Sequence, residues 1–325
     1  MKIAITGATG YIGSVLTPLL QAATHQLKLL SRKEQPGQQA GIEFVYGNLL
    51  DEDAIHRLAH GADAVIHLAA MISVSDRPEE ALFRINTTGT RLLATAAQQA
   101  GVKRFIHLSS ITAYEQAPFD EPMDEHRRPA HALQYGYDHS KAASQAIALE
   151  HNGNGMEVIV LAPTAVMGPY DHRPSLIGKA IVNIYNGNIP ALFPGGVDFV
   201  DVRDVAQAIV HALTMGVPGQ AYILSGEWLS LVTLSKQIGI IKGKEIKLPV
   251  LPLWLVMAML PLVGGLAKLT GGPPYYTRQS VYNLIYSNKK INNTKAREAL
   301  QFHPRTIIET LRDTIEWFRQ TGALK

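Results

Sequence analysis

Apolar runs of strand length recur along the first half of the chain, and stretches with helical spacing of apolar residues separate them. The runs predict strands at Lys2–Thr6, Gln26–Leu30, Ile42–Tyr46, Ala64–Leu68, Arg104–Leu108 and Glu157–Leu161. The amphipathic stretches predict helices at Gly10–Ala23, Asp53–His60, Glu79–Gln99 and Ala142–Glu150. Strands that alternate with helices imply βαβ crossovers, so we predict an α/β fold with a doubly wound parallel sheet.

The pattern changes after Pro163, where glycine and proline become frequent. A helix at Asp198–Leu213 and a strand at Gln220–Gly226 are predicted to return to the sheet, and a last amphipathic helix is predicted near Ile307–Phe318. We therefore assign residues 1–163 and about 198–226 to the domain that holds the sheet. Residues about 164–197 and 227–325 are expected to form a smaller, discontinuous C-terminal substrate lobe.

Composition narrows the classes of protein that fit. The 325 residues are 46% apolar and 18% charged, and the net charge of +3 comes without a long basic run. These values predict a compact globular protein and disfavour a nucleic-acid partner. The absence of cysteine excludes disulfides, thiol nucleophiles and thiolate metal sites. It fits a reducing compartment, and the strand beginning at Lys2 leaves no signal-peptide pattern, so we expect a cytoplasmic protein.

One segment raises the question of membrane contact. Leu248–Ala267 carries no charge and would be long enough to span a bilayer. Pro249, Pro252 and Pro261 are expected to break a continuous helix. We therefore predict a helical segment that is buried or covers the substrate, with attachment to a membrane surface as the alternative.

A glycine-rich turn follows the first predicted strand and opens the first predicted helix. Gly7, Gly10 and Gly13 leave no side chains where the chain turns and where a pyrophosphate would approach the backbone. We assign Thr9, Tyr11 and Ile12 between them to the same site. In this context the turn predicts a Rossmann-type dinucleotide-binding domain, whereas a purely structural glycine turn is the other interpretation.

The end of the second predicted strand bears on which dinucleotide is bound. An NAD site usually has an acidic residue there, and an NADP site a cation for the 2′-phosphate. This chain has Ser31, Arg32 and Lys33 before the first carboxylate, Glu34. NADP is therefore favoured and NAD stays open, with a solvated basic loop as the alternative.

Tyr137 and Lys141 stand four residues apart at the head of a helix rich in small residues. Residues at this spacing lie on one face of a helix. Because a nearby cation lowers the pKa of a phenol, Tyr137 is a candidate general acid or base. The pair alone also fits an inconsequential surface arrangement.

These motifs together resemble the extended short-chain dehydrogenases/reductases, also called the NAD-dependent epimerase/dehydratase family, and in particular its dihydroflavonol-reductase-like branch. The resemblance covers essentially the whole chain. It rests on TGATGYIG at 6–13, GNLLD at 47–51, HLAA at 67–70, NTTGT at 86–90, HLSS at 107–110, YDHSK at 137–141, PTAVMGP at 163–169 and DFVDVRDVA at 198–206.

The resemblance implies a Ser-Tyr-Lys mechanism. Ser110 falls on the catalytic serine and would hold the substrate oxygen against Tyr137. Tyr137 would transfer a proton as hydride passes between nicotinamide and substrate. Lys141 would lower the pKa of the tyrosine and bind the nicotinamide ribose.

Further roles follow from the matching positions. Asn86 falls on an asparagine that braces the sheet near the active site. The resemblance implies cofactor contacts for Asn48 and Leu49 at the adenine, for Leu68, Ala69 and Ala70 on the fourth strand, and for Pro163 and Val166 beside the nicotinamide. Substrate contacts are weaker expectations for Thr112, Met167 and Tyr170.

The chain departs from family members that act on nucleotide sugars. Where those typically carry an arginine, an asparagine and a tyrosine after the sixth strand, this chain has Ala162, Ala165 and Met167. Asp201 stands where they have an aromatic residue or histidine. Each change removes a group that suits a diphosphate, which favours a smaller, relatively apolar carbonyl or alcohol substrate.

The leading hypothesis is an NAD(P)-dependent oxidoreductase that transfers hydride between NADP(H) and such a substrate. One alternative is a nucleotide-sugar epimerase or dehydratase with tightly bound NAD, and another is a non-catalytic NADP-binding redox sensor. We predict no metal site, since His56 and His60 lack a nearby third ligand and fit a solvated helix face. A homodimer is common in the resembling family and stays open here.

Overall fold

The computed structural model describes residues 1–34, 40–73, 80–131, 136–270 and 277–324, with the side chains of 262–270 excepted. Ten strands lie in this part of the chain: β1 Lys2–Thr6, β2 Gln26–Ser31, β3 Ile42–Tyr46, β4 Ala64–His67, β5 Arg104–Leu108, β6 Glu157–Pro163, β7 Ala165–Met167, β8 Gly196–Asp201, β9 Gln220–Leu224 and β10 Glu227–Ser230. The helices are α1 Tyr11–Ala22, α2 Glu52–Ala59, α3 Glu80–Gln99, α4 Gly136–Glu150, α5 Leu176–Asn186, α6 Val202–Ala212, α7 Leu231–Lys242, α8 Leu253–Thr270, α9 Arg278–Ile285, α10 Thr294–Leu300 and α11 Ile307–Gln320.

Seven strands form one parallel sheet in the order β3-β2-β1-β4-β5-β6-β9. Strand β1 pairs with β2 on one side and with β4 on the other, so that Ile5 lies opposite both Leu29 and Ile66. The chain order reverses between β1 and β4, which is the switch point where ligands of such sheets bind. The predicted doubly wound α/β fold is confirmed.

Two hydrophobic clusters cover the two faces of this sheet. Ile3 and Ile5 of β1 face one cluster, and Ala4 between them faces the other, as strand alternation requires. Helices α1 and α6 close the first face through residues such as Leu16 and Val205, and α2 and α3 close the second. Because all seven strands run parallel, their carboxyl ends lie at one edge of the sheet.

Three strands form a second sheet in the order β10-β8-β7. Its strand β8 includes residues that were predicted to be helical. The helix predicted over Asp198–Leu213 begins only at Val202, because the first four residues belong to β8. Asp201 ends the strand and caps α6, its side chain accepting a hydrogen bond from the backbone N–H of Arg203 at 2.7 Å. Since a carboxylate at the N-cap satisfies a free N–H group, the helix starts after it.

The other predicted elements lie within a few residues of their observed bounds. The helix predicted over Ala142–Glu150 is longer than predicted, since α4 begins at Gly136. Residue Glu79, the predicted start of α3, lies outside the described residues. The short strands β7 and β10 and the helices α5 and α7 had no clear signal in the sequence. The division into a sheet domain and a substrate lobe stays a prediction.

The uncharged segment Leu248–Ala267 forms most of α8, and the helix runs through Pro261 without a break. The break predicted at this proline is therefore wrong. Val256 and Leu260 are buried in a cluster with Phe193 and Val281, and this packing offsets the hydrogen bond that a proline removes. Within the described residues, no helix has both the length and the apolar character to cross a membrane.

Candidate active site

The glycine turn between β1 and α1 has no room for side chains at two of its positions. Gly7 has a φ of +76°, and a Cβ there would lie 2.7 Å from the backbone N of Ala69. A Cβ on Gly13 would lie 2.3 Å from the carbonyl oxygen of Gly7. Real Cβ atoms do not approach backbone so closely, so glycine is required at both positions by close packing.

The start of α1 has the chemistry of an anion site. Its N-cap, Gly10, offers no side-chain oxygen, and the first turn, which lies entirely in the described part of the chain, holds no acidic residue. Thr9 and Gly10 are exposed at the turn, whereas Tyr11 and Ile12 are half-buried. Backbone N–H groups and the positive helix end are therefore left for a phosphate, and these residues fit a dinucleotide.

The turn is fastened to its neighbours by hydrogen bonds. Ala69 donates its backbone N–H to Oγ1 of Thr6 at 3.3 Å, so the stretch after β4 lies against the turn. Leu68 and Ala70 flank this contact and are half-buried. The hydroxyl of Tyr11 donates to the carbonyl oxygen of Gly168 at 2.6 Å, which uses its proton and links α1 to the segment after β7.

The basic end of β2 lies at the same edge of the sheet. Ser31 is the last residue of β2, and its hydroxyl donates to the backbone oxygen of Lys33 at 2.6 Å. The side chain of Arg32 is exposed beside this turn. After β3, Asn48 is exposed and accepts a hydrogen bond from the N–H of Leu50 at 2.9 Å, which leaves one lone pair of its amide oxygen for another donor. Leu49 is buried against α3.

A hydroxyl cluster follows β5. Ser110 caps a short 3₁₀ turn, and its Oγ accepts hydrogen bonds from the backbone N–H of Thr112 at 3.2 Å and from its hydroxyl at 3.1 Å. The Ser110 side chain is also hydrogen-bonded to the phenol of Tyr137. The strand end and the helix α4 therefore bring the predicted serine and tyrosine into contact.

The environment of Tyr137 corrects the expected direction of its pKa shift. Burial raises the pKa of Tyr137 well above its ordinary value, the charge of Asp138 raises it further, and the hydrogen bond with Ser110 lowers it. The expectation of a lowered pKa is wrong for the protein alone, because the loss of water around the phenol and the charge of Asp138 outweigh the hydrogen bond with Ser110. The phenol therefore keeps its proton across neutral pH.

Lys141 is buried one helical turn further along α4. Its Nζ donates to the carbonyl oxygen of Leu108 at 2.6 Å, which fixes the amine at the end of β5. Burial lowers the pKa of Lys141 to about 7. Beside it the buried histidine His67 is neutral, since burial and the charge of Lys141 lower its pKa to about 3.

Asn86 of α3 ties these elements together. Its Oδ1 accepts from the N–H of Met71 at 2.7 Å, and its Nδ2 donates to the carbonyl oxygen of Met71 at 3.0 Å and to Oγ of Ser140 at 2.9 Å. Ser140 in turn donates to the carbonyl oxygen of Tyr137 at 2.7 Å. The asparagine therefore holds the stretch after β4 against α4.

Sequence reasoning missed Asp138. This residue is only 9% exposed, its Oδ1 has no hydrogen-bond partner in the described chain, and its carboxyl is hydrogen-bonded to Thr112. The hydroxyls of Thr112 and Ser110 thus link the carboxyl of Asp138 to the phenol of Tyr137. Burial raises the pKa of Asp138 to about 7. The only signal in the sequence is an acidic residue next to the tyrosine, which does not reveal burial.

Replacing Asp138 by asparagine is expected to stabilise the protein in a pH-dependent way. The folded protein holds the carboxyl proton up to about pH 7, while an unfolded chain loses it near pH 4. The folded state therefore binds more protons in this window, and wild-type stability falls as pH rises through it. Urea unfolding should show the advantage of the variant growing to as much as about 4 kcal/mol between about pH 4 and pH 7, then levelling off. A difference that does not change with pH would contradict the buried, protonated carboxyl.

The remaining predicted residues follow β6. Pro163 ends β6 and is buried, and Val166 is half-buried in β7. Met167 is buried in the hydrophobic cluster that contains Phe199, so the structure places it in the core of the second sheet. Tyr170 is 44% exposed and its ring packs on Trp317 of α11 at 5.1 Å. Of the weak substrate candidates, only Thr112 lies with the hydroxyl cluster.

Comparison with known proteins places this arrangement in a family. Residues 3–225 match the model described as the NAD dependent epimerase/dehydratase family. "Sterol demethylase protein B" of Methylococcus capsulatus is 28% identical and covers 100% of both chains. The "Putative dihydroflavonol 4-reductase" of Synechocystis is 28% identical over 99% of this chain and 95% of that protein. The crystal structure of gox2253 has a TM-score of 0.82 and 29% identity, and covers 100% of this chain and 99% of that chain.

The family match covers more than half of the chain, including the glycine turn, the hydroxyl cluster and α4. The sheet order and the site geometry agree with it, and the resemblance inferred from the sequence is confirmed. The chain belongs to the NAD-dependent epimerase/dehydratase family of extended short-chain dehydrogenases/reductases.

Proposed function

We propose that the protein is an NADP(H)-dependent oxidoreductase that reduces the carbonyl group of a small, relatively apolar substrate. The observation that carries this proposal is the hydrogen-bonded pair of Ser110 and Tyr137, with Lys141 one turn further on, at the sheet edge that also holds the glycine turn. A bound nicotinamide would supply the hydride.

Each residue of the site has a role in that reaction. The hydroxyls of Ser110 and Tyr137 would both donate to the substrate carbonyl oxygen, which holds it in place and polarises it. Tyr137 would then give its proton to this oxygen as negative charge develops there. Lys141 would offer its amine to ribose hydroxyls, and Asn86 keeps the catalytic helix in position.

The protonation of Tyr137 favours the direction of reduction. Reduction needs a phenol that carries its proton, and burial raises the pKa of Tyr137 so that it does at neutral pH. Oxidation of an alcohol needs the phenolate. We therefore expect reduction to proceed at neutral pH and oxidation to require alkaline pH, which initial rates in both directions across pH would measure. Oxidation that is fastest at neutral pH would contradict this assignment.

Arg32 supports NADP as the preferred cofactor. Its exposed guanidinium follows the last residue of β2, where a 2′-phosphate is recognised in related sheets. Replacing Arg32 by alanine is expected to weaken NADP⁺ binding by roughly ten- to 100-fold, because a hydrogen bond to a charged group is lost, and to leave NAD⁺ binding unchanged. Calorimetric titration with both dinucleotides measures this.

The matched control is Arg319→Ala, which removes an exposed arginine that pairs with Glu316 on α11. It should bind both dinucleotides like the wild type. Equal losses of NADP⁺ and NAD⁺ affinity in the Arg32 variant would contradict recognition of the 2′-phosphate. An unchanged preference of the Arg32 variant for NADP⁺ over NAD⁺ would contradict it as well.

The substrate class follows from the positions that depart from nucleotide-sugar enzymes. Ala162 is fully buried within β6, so it offers neither charge nor hydrogen bonds to a diphosphate. Asp201 is engaged by Arg203 at 2.6 Å and by the hydroxyl of Thr310 at 2.8 Å, so it joins α6 to α11. A less charged carbonyl compound therefore suits this chain better than a nucleotide sugar. The relatives named for a sterol and for a dihydroflavonol are consistent with this class.

The test is to mix the pure protein with NADPH and a panel of apolar ketones and aldehydes and to follow the absorbance of the reduced nicotinamide. With at least one compound of the panel, we expect the amount of NADPH consumed to equal the amount of product formed. The competing proposal, an epimerase or dehydratase, predicts dinucleotide that survives purification and thermal stabilisation by nucleotide sugars. A redox sensor predicts NADP binding without turnover of any member.

A further inference from the structure

Helix α8 is apolar on the side that faces away from the protein. Trp254 is 71% exposed and Met257 is 39% exposed, and Ala258 and Pro261 are exposed as well. These positions follow the spacing i, i+3, i+4 and i+7, which is one face of a helix. The opposite face, with Val256 and Leu260, packs on the protein. Helix α8 is therefore apolar on both sides, and within the described chain only the side with Val256 and Leu260 is covered.

The apolar surface continues beside the helix. Met259 is 43% exposed, and Pro249, Val250 and Pro252 are exposed just before α8 begins. On the neighbouring helix α9, Tyr282 is 48% exposed. Exposed apolar side chains in this number mark a contact site, and exposed tryptophan and tyrosine side chains suit the boundary between lipid and water.

Basic residues predominate in the chain around this surface, although the exposed Glu245 pairs with Lys247 at 3.0 Å. Between Glu245 and Glu298 the sequence contains no acidic residue, whereas it contains seven basic residues: Lys247, Lys268, Arg278, Lys289, Lys290, Lys295 and Arg297. Lys247 is exposed six residues before α8, and Arg278 is exposed at the start of α9, which packs against α8. A second copy of the chain would bring like charges together at this surface. Anionic lipid headgroups would be attracted to it.

We propose that α8 docks on the surface of a bilayer that contains anionic lipids, with Trp254, Met257 and Pro261 inserted among the headgroups. An apolar helical face edged by basic residues binds in the plane of a membrane. Burial of its apolar area and attraction to anionic headgroups both contribute to the affinity. The proposal does not depend on the reaction that the enzyme catalyses.

Sedimentation with vesicles tests it. The full chain is expected to bind vesicles of phosphatidylcholine with phosphatidylglycerol, to bind phosphatidylcholine alone weakly, and to dissociate as salt is added. The double variant Trp254→Ser, Met257→Ser should lose at least about tenfold in affinity, because two apolar side chains no longer enter the membrane. Lys247→Glu should weaken binding to the anionic vesicles alone.

The matched control is Val217→Ser, which removes an exposed apolar side chain in the loop before β9. It should bind vesicles like the wild type. Trp254→Phe should keep binding but lose most of the fluorescence quenching by brominated lipids, since Trp228 and Trp317 lie on other elements. This second readout does not depend on a loss of affinity.

Three results would overturn the proposal. The first is no binding to anionic vesicles, and the second is equal binding by the double variant. The third is a concentration-dependent dimer in light scattering that Trp254→Ser abolishes, which would assign this face to a second copy of the chain. Preserved thermal unfolding of the variants confirms that each outcome reports on the surface.

Discussion

Replacing Tyr137 by phenylalanine is expected to lower turnover by about 100- to 10,000-fold and to leave dinucleotide affinity unchanged. The change removes one hydroxyl and its hydrogen bond with Ser110 and keeps the ring in its buried place. The phenol of Tyr114, which follows the same 3₁₀ turn, instead accepts a hydrogen bond from Nε2 of Gln145 at 2.9 Å. Steady-state rates and calorimetric titration measure the two quantities separately.

The matched control is Tyr222→Phe. Tyr222 is a fully buried tyrosine of β9 whose hydroxyl accepts a hydrogen bond from the N–H of Val217 at 2.7 Å. Losing that bond should cost about 1 kcal/mol of stability and leave turnover unchanged. If the Tyr137 variant turned over as fast as the wild type, the assigned proton transfer would be wrong.

Replacing Gly13 by alanine is expected to weaken dinucleotide binding by roughly ten- to 100-fold. The new Cβ would lie 2.3 Å from the carbonyl oxygen of Gly7 and 2.6 Å from Cα of Ala8. Because both contacts are backbone, the turn or the start of α1 must move, and the N–H groups that would bind phosphate move with it. Calorimetric titration with NADP⁺ measures the loss.

Gly101→Ala provides the control for glycine replacement itself. Gly101 has a φ of +75°, a Cβ there meets nothing within 4 Å among the described residues, and the position precedes β5 at the opposite edge of the sheet. This variant should lose about 1 kcal/mol of stability through backbone strain and keep its affinity for NADP⁺. Unchanged affinity in the Gly13 variant would contradict the close-packed phosphate turn.

The main sheet could be predicted because its signals are local. Buried parallel strands such as β1 and β5 are short apolar runs, and Asp51 before α2 is an ordinary helix cap. The glycine turn was recognisable for the same reason, since the strand, the turn and the helix follow one another directly. Nucleotide-binding sheets place their chemistry at such junctions.

The second sheet could not be predicted, because long-range pairing forms it. β7 has only three residues, and β8 gains its strand conformation from pairing with β10, which lies 26 or more residues further along the chain. The run around Asp198 and Asp201 has helical spacing as well as strand alternation. Pairing with β10 is a tertiary contact, and it makes this run a strand rather than a helix.

The sequence predicted that the side chains of the candidate site lie together but not their electrostatics. Spacing predicted that Tyr137 and Lys141 share a face of α4, whereas burial, which a single sequence does not reveal, sets the direction of their pKa shifts. The same limit hid Asp138, whose carboxyl is buried and hydrogen-bonded to Thr112. The open face of α8 could not be distinguished from a buried one, because an uncharged segment suits a core as well as a surface.

The most direct test of the proposed reaction follows the hydrogen itself. NADPH that carries deuterium at the transferable position of its nicotinamide ring is mixed with the protein and a ketone that it consumes, and the product is examined by mass spectrometry. We predict one deuterium on the carbinol carbon and stoichiometric formation of NADP⁺. Product without deuterium, or deuterium retained in the cofactor while the substrate is converted, would contradict net hydride transfer at this site.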